Sequence, residues 1–242
     1  MHPAGLDERR ARVDDAAAVD TALVIAVIAL VGSFLSTVVT VFGKEIFQAR
    51  RAARDVLEKY REPLLAAAYE LQARLHNILR NNFIEDDVLS NKRGKQEAAV
   101  ESTLYVFAQF FGWREIIRRD IHFLRLDSGE QTREIAGLLS SIGETFLTNE
   151  FGPQCMIWRV EQRGLGERMI TTSDGRATCM GYASFIEQRT TMNQWLEPLE
   201  RDLKQLDEGG RKRLTQLQHL LLDLVEKLDD DHTRYPFTLE RA

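Results

Sequence analysis

Residues 21–43, TALVIAVIALVGSFLSTVVTVFG, form an apolar segment without a charged side chain. As an α-helix this segment is about 34 Å long, enough to cross the roughly 30 Å hydrocarbon core of a bilayer. It is also longer than the apolar core of a cleaved signal peptide, which holds about 7–15 residues. The pattern predicts one transmembrane helix that follows a short exported tail at residues 1–20.

After residue 43, apolar residues recur at the three- and four-residue spacing of amphipathic helices. The spacing predicts helices over residues 57–79, 97–126, 132–148, 154–170, 183–206 and 210–228. Aromatic side chains on the second of these helices share a stripe with Val100 and Leu104, which is typical of a packed core. The sequence therefore predicts an all-α protein, in which a single transmembrane helix precedes a cytoplasmic multi-helix bundle domain.

Proline and charge indicate the boundaries of this domain. Pro63 lacks an N–H group and its ring clashes with the preceding turn, so it favours a break in the helix. We therefore expect a basic juxtamembrane stalk and hinge over residues 44–62, with the hinge at Tyr60–Glu62, and a helical domain over residues 63–228. The acidic segment at residues 229–242 is expected to be a frayed tail.

Basic residues are distributed unequally around the apolar segment. Three arginines precede it, all distant from the membrane boundary, whereas six basic residues lie between Lys44 and Arg61. Because positive charge remains inside, the N-terminus is predicted outside and the large domain in the cytoplasm, at the inner membrane of a bacterial cell. Four basic side chains are expected to contact lipid: Lys44, Arg50, Arg51 and Arg54. Their expected role is to set the topology of the chain and not to recognise a specific lipid.

Small residues recur within the apolar segment at alternating spacings of four and three, and so share one face of a helix. They are Ala22, Ala26, Ala29, Ser33, Ser36, Thr40 and Gly43. Small side chains allow two helices to approach closely in lipid, so this seam predicts a homo-oligomer through the transmembrane helix. A chance distribution of small residues is the alternative.

The helix predicted over residues 154–170 places a carboxylate, Glu161, four residues from both Ile157 and Leu165. Burial of that carboxylate requires a cation, so a core ion pair is the favoured interpretation. Gly164 and Gly166 predict close approach of another backbone. The alternative is a functional polar pocket formed by Glu161, Arg163 and Glu167.

The chemistry of known motifs gives little further indication. The net charge of −5 argues against a nucleic-acid partner. The sequence contains no nucleotide-binding, hydrolase or zinc-ligand motif, so no catalytic residue, cofactor or metal is assigned. Cys155 and Cys179 are expected to be free thiols of a reducing compartment, although their spacing also permits a disulfide.

The leading hypothesis is therefore a membrane-tethered cytoplasmic helical interaction protein, an adaptor, regulator or sensor, which binds the bilayer and an unknown protein partner. One alternative is an oligomeric membrane-perturbing or pore-forming effector, for which the seam assembles several helices. The other is a membrane-anchored enzyme that uses a polar site near Glu161.

Overall fold

The structure is a computed structural model, and it describes residues 59–81, 83–84, 93–121, 130–230, 232–235 and 240–242. This part of the chain is mostly helical, which confirms the all-α class predicted from the apolar spacing. Its helices are α1 (residues 59–80), α2 (Arg93–Ile121), α3 (Glu130–Thr145), α4 (Arg159–Met169), α5 (Tyr182–Gln188), α6 (Asn193–Lys204) and α7 (Glu208–Leu228). Short 3-10 helices occupy Asn149–Phe151 and Arg189–Met192.

The predicted transmembrane helix at residues 21–43, its small-residue seam, the tail at residues 1–20 and the basic residues from Lys44 to Arg54 lie outside the described residues. Among the helices that are described, none combines the length and apolar character needed to cross a membrane. The predictions of a membrane anchor and of its orientation therefore remain predictions.

Helix α2 is the central element of the bundle. It contacts α4, α5 and α6, while α3 packs against α7. The aromatic stripe predicted on α2 forms the centre of the core, because Phe107, Phe110 and Phe111 are all buried and Phe107 and Phe111 meet the ring of Phe146 after α3. Burial of such large rings supplies much of the hydrophobic stabilisation of this core.

The start of α1 packs with the rest of the helical domain. Residues 59–62 are helical, and the helix continues through Pro63. The buried Tyr60 donates a hydrogen bond of 2.7 Å from its hydroxyl to Asp120 on α2, and Arg61 donates one of 2.6 Å to the carbonyl of Leu228. These contacts join the start of α1 to α2 and to the end of α7. The hinge at Tyr60–Glu62 remains a prediction.

A β-hairpin interrupts the helical order, where the sequence indicated only a turn. Strand β1 (Ile170–Ser173) pairs antiparallel with β2 (Arg176–Cys179), and Ser173 faces Arg176. Asp174 and Gly175 between them both have positive φ, 50° and 73°. Two such residues form a type I′ turn, whose twist matches that of the strands. This hairpin lies against α2.

A buried arginine joins α7 to the loop between α3 and α4. The Arg213 side chain has no exposed surface. Its guanidinium donates hydrogen bonds to the carbonyls of Thr145, Thr148, Gly152 and Gln154, at 2.5, 2.9, 2.6 and 2.9 Å. Several of these carbonyls follow the end of α3, where they lack helical partners, so Arg213 serves as their shared donor.

The C-terminal segment is attached to the domain and is not frayed in its described part. The buried Asp229 accepts hydrogen bonds from the backbone N–H groups of Arg234 and Tyr235. The Tyr235 ring stacks on Tyr69 of α1 with 3.8 Å between the centroids, and the Ala242 N–H donates to Gln218 of α7. These contacts join residues that are far apart in the sequence, so the acidic composition of the segment does not predict them.

Candidate functional site

Three helices leave a cleft between them that contains four arginines. Helix α2 contributes Phe111, Arg114, Glu115, Ile117 and Arg118, α3 contributes Ala136, Leu139 and Ser140, and α4 contributes Arg159, Gln162 and Arg163. On each helix these positions follow three- and four-residue spacing, which brings the side chains to one face. The volume of this arginine cleft is about 280 Å³.

Arg114 is positioned by α3 and α4. Its Nη1 donates a hydrogen bond of 2.6 Å to Oε1 of Gln162, a buried side chain. Gln162 in turn donates from Nε2 to the carbonyls of Gly143 and Ile157, at 3.1 and 2.8 Å. A Cβ atom at Gly143 would collide with the Arg114 guanidinium. The absence of a side chain on Gly143 therefore makes room for Arg114 beside the α3 backbone.

The charge of Arg114 is not neutralised by a nearby carboxylate. Within the described chain, its only hydrogen bond is the one to Gln162, and it forms no ion pair. Burial, assisted by the positive charges of Arg159 and Arg163, lowers the pKa of Arg114 to about 10, although Glu115 and Glu144 oppose this effect. Arg114 therefore remains protonated at neutral pH, with donors available to an anion in the cleft.

The carboxylate in the cleft is already neutralised by its own helix. Glu115 is buried and accepts two hydrogen bonds of 2.6 Å from Arg118 and one of 2.9 Å from Arg119. Burial alone would raise the pKa of Glu115, but the hydrogen bonds from Arg118 and Arg119 outweigh it and keep the pKa below 4.5. Glu115 is therefore ionised at neutral pH, and its hydrogen bonds come from Arg118 and Arg119 and not from Arg114.

The rim of the cleft contains two further arginines from α4. Arg159 forms an ion pair with the exposed Glu144 of α3. Arg163 is exposed and forms no ion pair with any residue that the structure describes. Four arginines against one glutamate give the cleft lining a net charge of +3.

The three residues predicted as a polar cluster have different surroundings. Arg163 lines the arginine cleft, but Glu161 and Glu167 do not. Glu167 is exposed and pairs with Arg119 at 3.2 Å. Glu161 is only half-buried, and its carboxylate accepts a hydrogen bond of 2.8 Å from the Trp158 N–H.

The favoured interpretation of Glu161 as half of a core ion pair is therefore wrong. Helix α4 begins at Arg159 instead of residue 154, so Glu161 lies in its first turn and caps the helix terminus. The buried polar residue on this helix is the neighbouring Gln162. The buried carboxylate with cationic partners is Glu115 on α2.

The close approach of another backbone that Gly164 and Gly166 predict is found at Gly166, whereas Gly164 faces the side chain of Trp195. A Cβ atom at Gly166 would lie 2.6 Å from the Phe111 carbonyl, and one at Gly164 would lie 3.0 Å from the Trp195 ring. The approach at Gly166 brings α4 against α2 at the cleft. The sequence thus indicated that α4 has a tight neighbour, but not which helix it is.

A second cleft and the two cysteines also carry side chains with reactive or ligand-binding groups. A second cleft carries four glutamates, of which Glu200 pairs with Arg189 and Lys204. Cys155 and Cys179 are both free thiols, as expected, and burial raises the pKa of each to about 12. In the described ranges, no group of three or more His, Cys, Asp or Glu side chains is arranged to hold a metal ion.

Comparison with protein-family models, with curated proteins and with solved structures finds no match for this chain. The geometry of the arginine cleft is therefore the basis for proposing a function.

Proposed function

We propose that this protein is a membrane-tethered helical interaction protein, an adaptor or sensor, whose domain binds an anionic ligand in the arginine cleft. In this proposal residues 21–43 anchor the chain in the inner membrane, the small-residue seam joins copies of the chain, and the helical domain lies in the cytoplasm. The ligand regulates how the domain engages a protein partner.

The observation that supports anion binding is that the charge and most of the hydrogen-bond donors of Arg114 lack a partner among the described residues. A guanidinium is costly to remove from water unless its charge and its donors are compensated. Arg114 has one neutral partner, Gln162, and two arginines that raise the local positive potential. An anion in the cleft would supply the missing compensation, since arginines bind carboxylates and phosphates through paired hydrogen bonds.

Anion binding is tested by thermal unfolding of the full-length protein in detergent, with sodium sulfate or citrate against sodium chloride at equal ionic strength. An anion present at about ten times its Kd stabilises the folded state by about 1.4 kcal/mol, or about 3–6 °C for a domain of this size. Gly143→Ala displaces Arg114 and is expected to abolish this increase.

Gly137→Ala is the matched control, because Gly137 lies on the same helix with nothing within 4 Å of an added Cβ. The control also corrects for the general stabilisation that sulfate gives to folded proteins. An equal increase in melting temperature for Gly143→Ala and Gly137→Ala would refute a specific site in the cleft.

The tether is tested separately with reporters fused after Ala242. The basic residues after the apolar segment predict activity of a cytoplasmic reporter at this position. Activity of an exclusively periplasmic reporter instead would reverse the proposed orientation. Recovery of the intact chain in the soluble fraction would refute the anchor.

Self-association is tested with Ala29→Leu combined with Ser33→Leu in a membrane two-hybrid assay. Leucine at these seam positions holds two helix backbones apart and should weaken association. Leucine at Val31 and Val38, which lie off the seam, should be tolerated. Equal association of both variants would remove the oligomer from the proposal.

A further inference from the structure

We propose that the ligand of the arginine cleft is a phosphate monoester with a small apolar or aromatic organic group. This inference rests on the proposed function, since it names the ligand class of the same site. It follows from the charge of the cleft, the arrangement of its donors and the composition of its walls.

The charge of the lining favours a dianion. Glu115 is already held by Arg118 and Arg119, and the ion pair between Arg159 and Glu144 offsets one of the three net positive charges of the lining, so about two remain for a ligand. A carboxylate or a sulfate ester supplies one negative charge. A phosphate monoester supplies about 1.5–2 at pH 7, because its second pKa is about 6. The phosphate monoester therefore matches the charge more closely.

The donors come from two helices. Arg114 on α2 has N–H groups for which no described residue is an acceptor, and the exposed Arg163 on α4 has no described ion pair. A phosphoryl group has three terminal oxygens and can accept hydrogen bonds from more than one guanidinium. A carboxylate has only two oxygens in one plane, so it satisfies fewer of these donors.

The remaining lining selects the organic part of the ligand. Phe111, Ile117, Ala136 and Leu139 bring apolar surface from α2 and α3 to the same cleft as the arginines. The volume of about 280 Å³ lies just below the range of roughly 300–1,000 Å³ for small-molecule sites. The cleft therefore fits one small ring or a short chain beside the phosphoryl group.

Calorimetric titration of the full-length protein in phosphatidylcholine nanodiscs tests this assignment with three matched probes. Phenyl phosphate, phenyl sulfate and benzoate share the ring and differ in the anionic group. Phenyl phosphate is expected to bind at least tenfold more tightly than the other two at pH 7.5. Its advantage should decrease as the pH falls below 6, where the phosphoryl group gains a proton.

Single substitutions test whether phenyl phosphate binds in the arginine cleft. Gly143→Ala should weaken phenyl phosphate binding at least tenfold without lowering the melting temperature, since the flexible Arg114 tip can move away and alanine favours helix. Arg163→Ala should also weaken it. Gly137→Ala and Arg168→Ala, which alter the same two helices outside the cleft lining, should bind like the unaltered protein.

A phosphate monoester can be soluble or part of a lipid, and nanodiscs that contain phosphatidic acid distinguish the two sources. Competition by phosphatidic acid, but not by the diester phosphatidylglycerol, would assign the site to a lipid headgroup; no competition would assign it to a soluble ester. Equal affinity for phenyl phosphate and phenyl sulfate or benzoate would overturn this inference and leave anion binding intact. Failure of all anions to bind would overturn both.

Discussion

Replacement of Arg213 by methionine is expected to be among the most destabilising single changes in the domain. The side chain is fully buried, and its four hydrogen bonds join α7 to the loop that leads from α3 to α4. Methionine has a similar length and fills much of the same volume. It cannot donate a hydrogen bond, so the four carbonyls lose their shared donor.

The magnitude follows from two opposing effects. Hydrogen bonds to a charged group contribute about 1.5–3 kcal/mol each, so four of them represent roughly 6–12 kcal/mol. Removal of a buried guanidinium also eliminates a desolvation cost of several kcal/mol. We expect a net loss of about 3–5 kcal/mol in the free energy of unfolding. For a domain of about 200 residues this corresponds to a decrease of about 6–20 °C in melting temperature.

Circular dichroism of the full-length protein in detergent measures this change. Lys212→Ala is the matched control on the same helix, because Lys212 and its partner Glu208 are both exposed, and it should change stability by less than about 0.5 kcal/mol. Arg213→Lys should give an intermediate loss, since one ammonium cannot reach all four carbonyls. A loss below about 1 kcal/mol for Arg213→Met would refute the role of this arginine as their shared donor.

Three further predictions test other parts of the domain. Because its folded pKa is lowered, Glu115 should stabilise the fold above about pH 4.5 and lose this effect as the pH falls through the folded value. Glu115→Gln should therefore be less stable than the unaltered protein by about 1–3 kcal/mol at pH 7 and equally stable in acid. Urea unfolding at both pH values measures the difference. Cys155 and Cys179 should react with iodoacetamide at pH 8 about a thousandfold more slowly in the folded chain than in the urea-unfolded chain. The reason is that a pKa of about 12 leaves little thiolate. Comparable labelling rates would contradict their burial. Tyr60→Phe should cost about 1.5–3 kcal/mol by removing the hydrogen bond to Asp120, whereas an unchanged melting temperature would show that this contact does not stabilise the start of α1.

The parts of the fold that the sequence predicted well are those where local spacing determines the packing. The stripe on α2 that includes Phe107 and Phe111 is long and strongly periodic, so both its helical state and its buried face were predictable. The hairpin was missed because Ile170–Ser173 follows an apolar helix directly, and four residues are too few to show a two-residue period. The Asp174–Gly175 pair was the available signal.

Contacts between distant residues explain the remaining errors. Nothing local to Tyr235 indicates that it stacks on Tyr69, so an acidic and polar tail was predicted to fray. Glu161 was assigned to the core because the helix was begun at residue 154, five residues early. A start at Arg159 makes Glu161 a first-turn capping residue, and the buried polar residue beside the predicted Leu165 is Gln162.

The candidate site was only partly predictable for the same reason. Gly166 and Arg163 were identified because unusual residues stood close together in one segment. Arg114, Gly143 and Gln162 lie on three helices, and each looks ordinary on its own helix. Their relation becomes visible only when α2, α3 and α4 are assembled, because the collision of a Gly143 Cβ with Arg114 is a property of the packing.

Two arginines of this domain show how a structural cation differs from a binding one. Arg213 and Arg114 both lack a carboxylate partner within the described residues, and burial lowers the pKa of both. Arg213 uses its donors on four carbonyls and has no exposed surface, so no ligand is needed or admitted. Arg114 uses one donor on Gln162, faces an open cleft and has two arginines nearby that disfavour its charge. Arg213 uses four of its five N–H donors within the domain, whereas Arg114 keeps donors that face the cleft, so Arg114 is the arginine suited to bind a ligand.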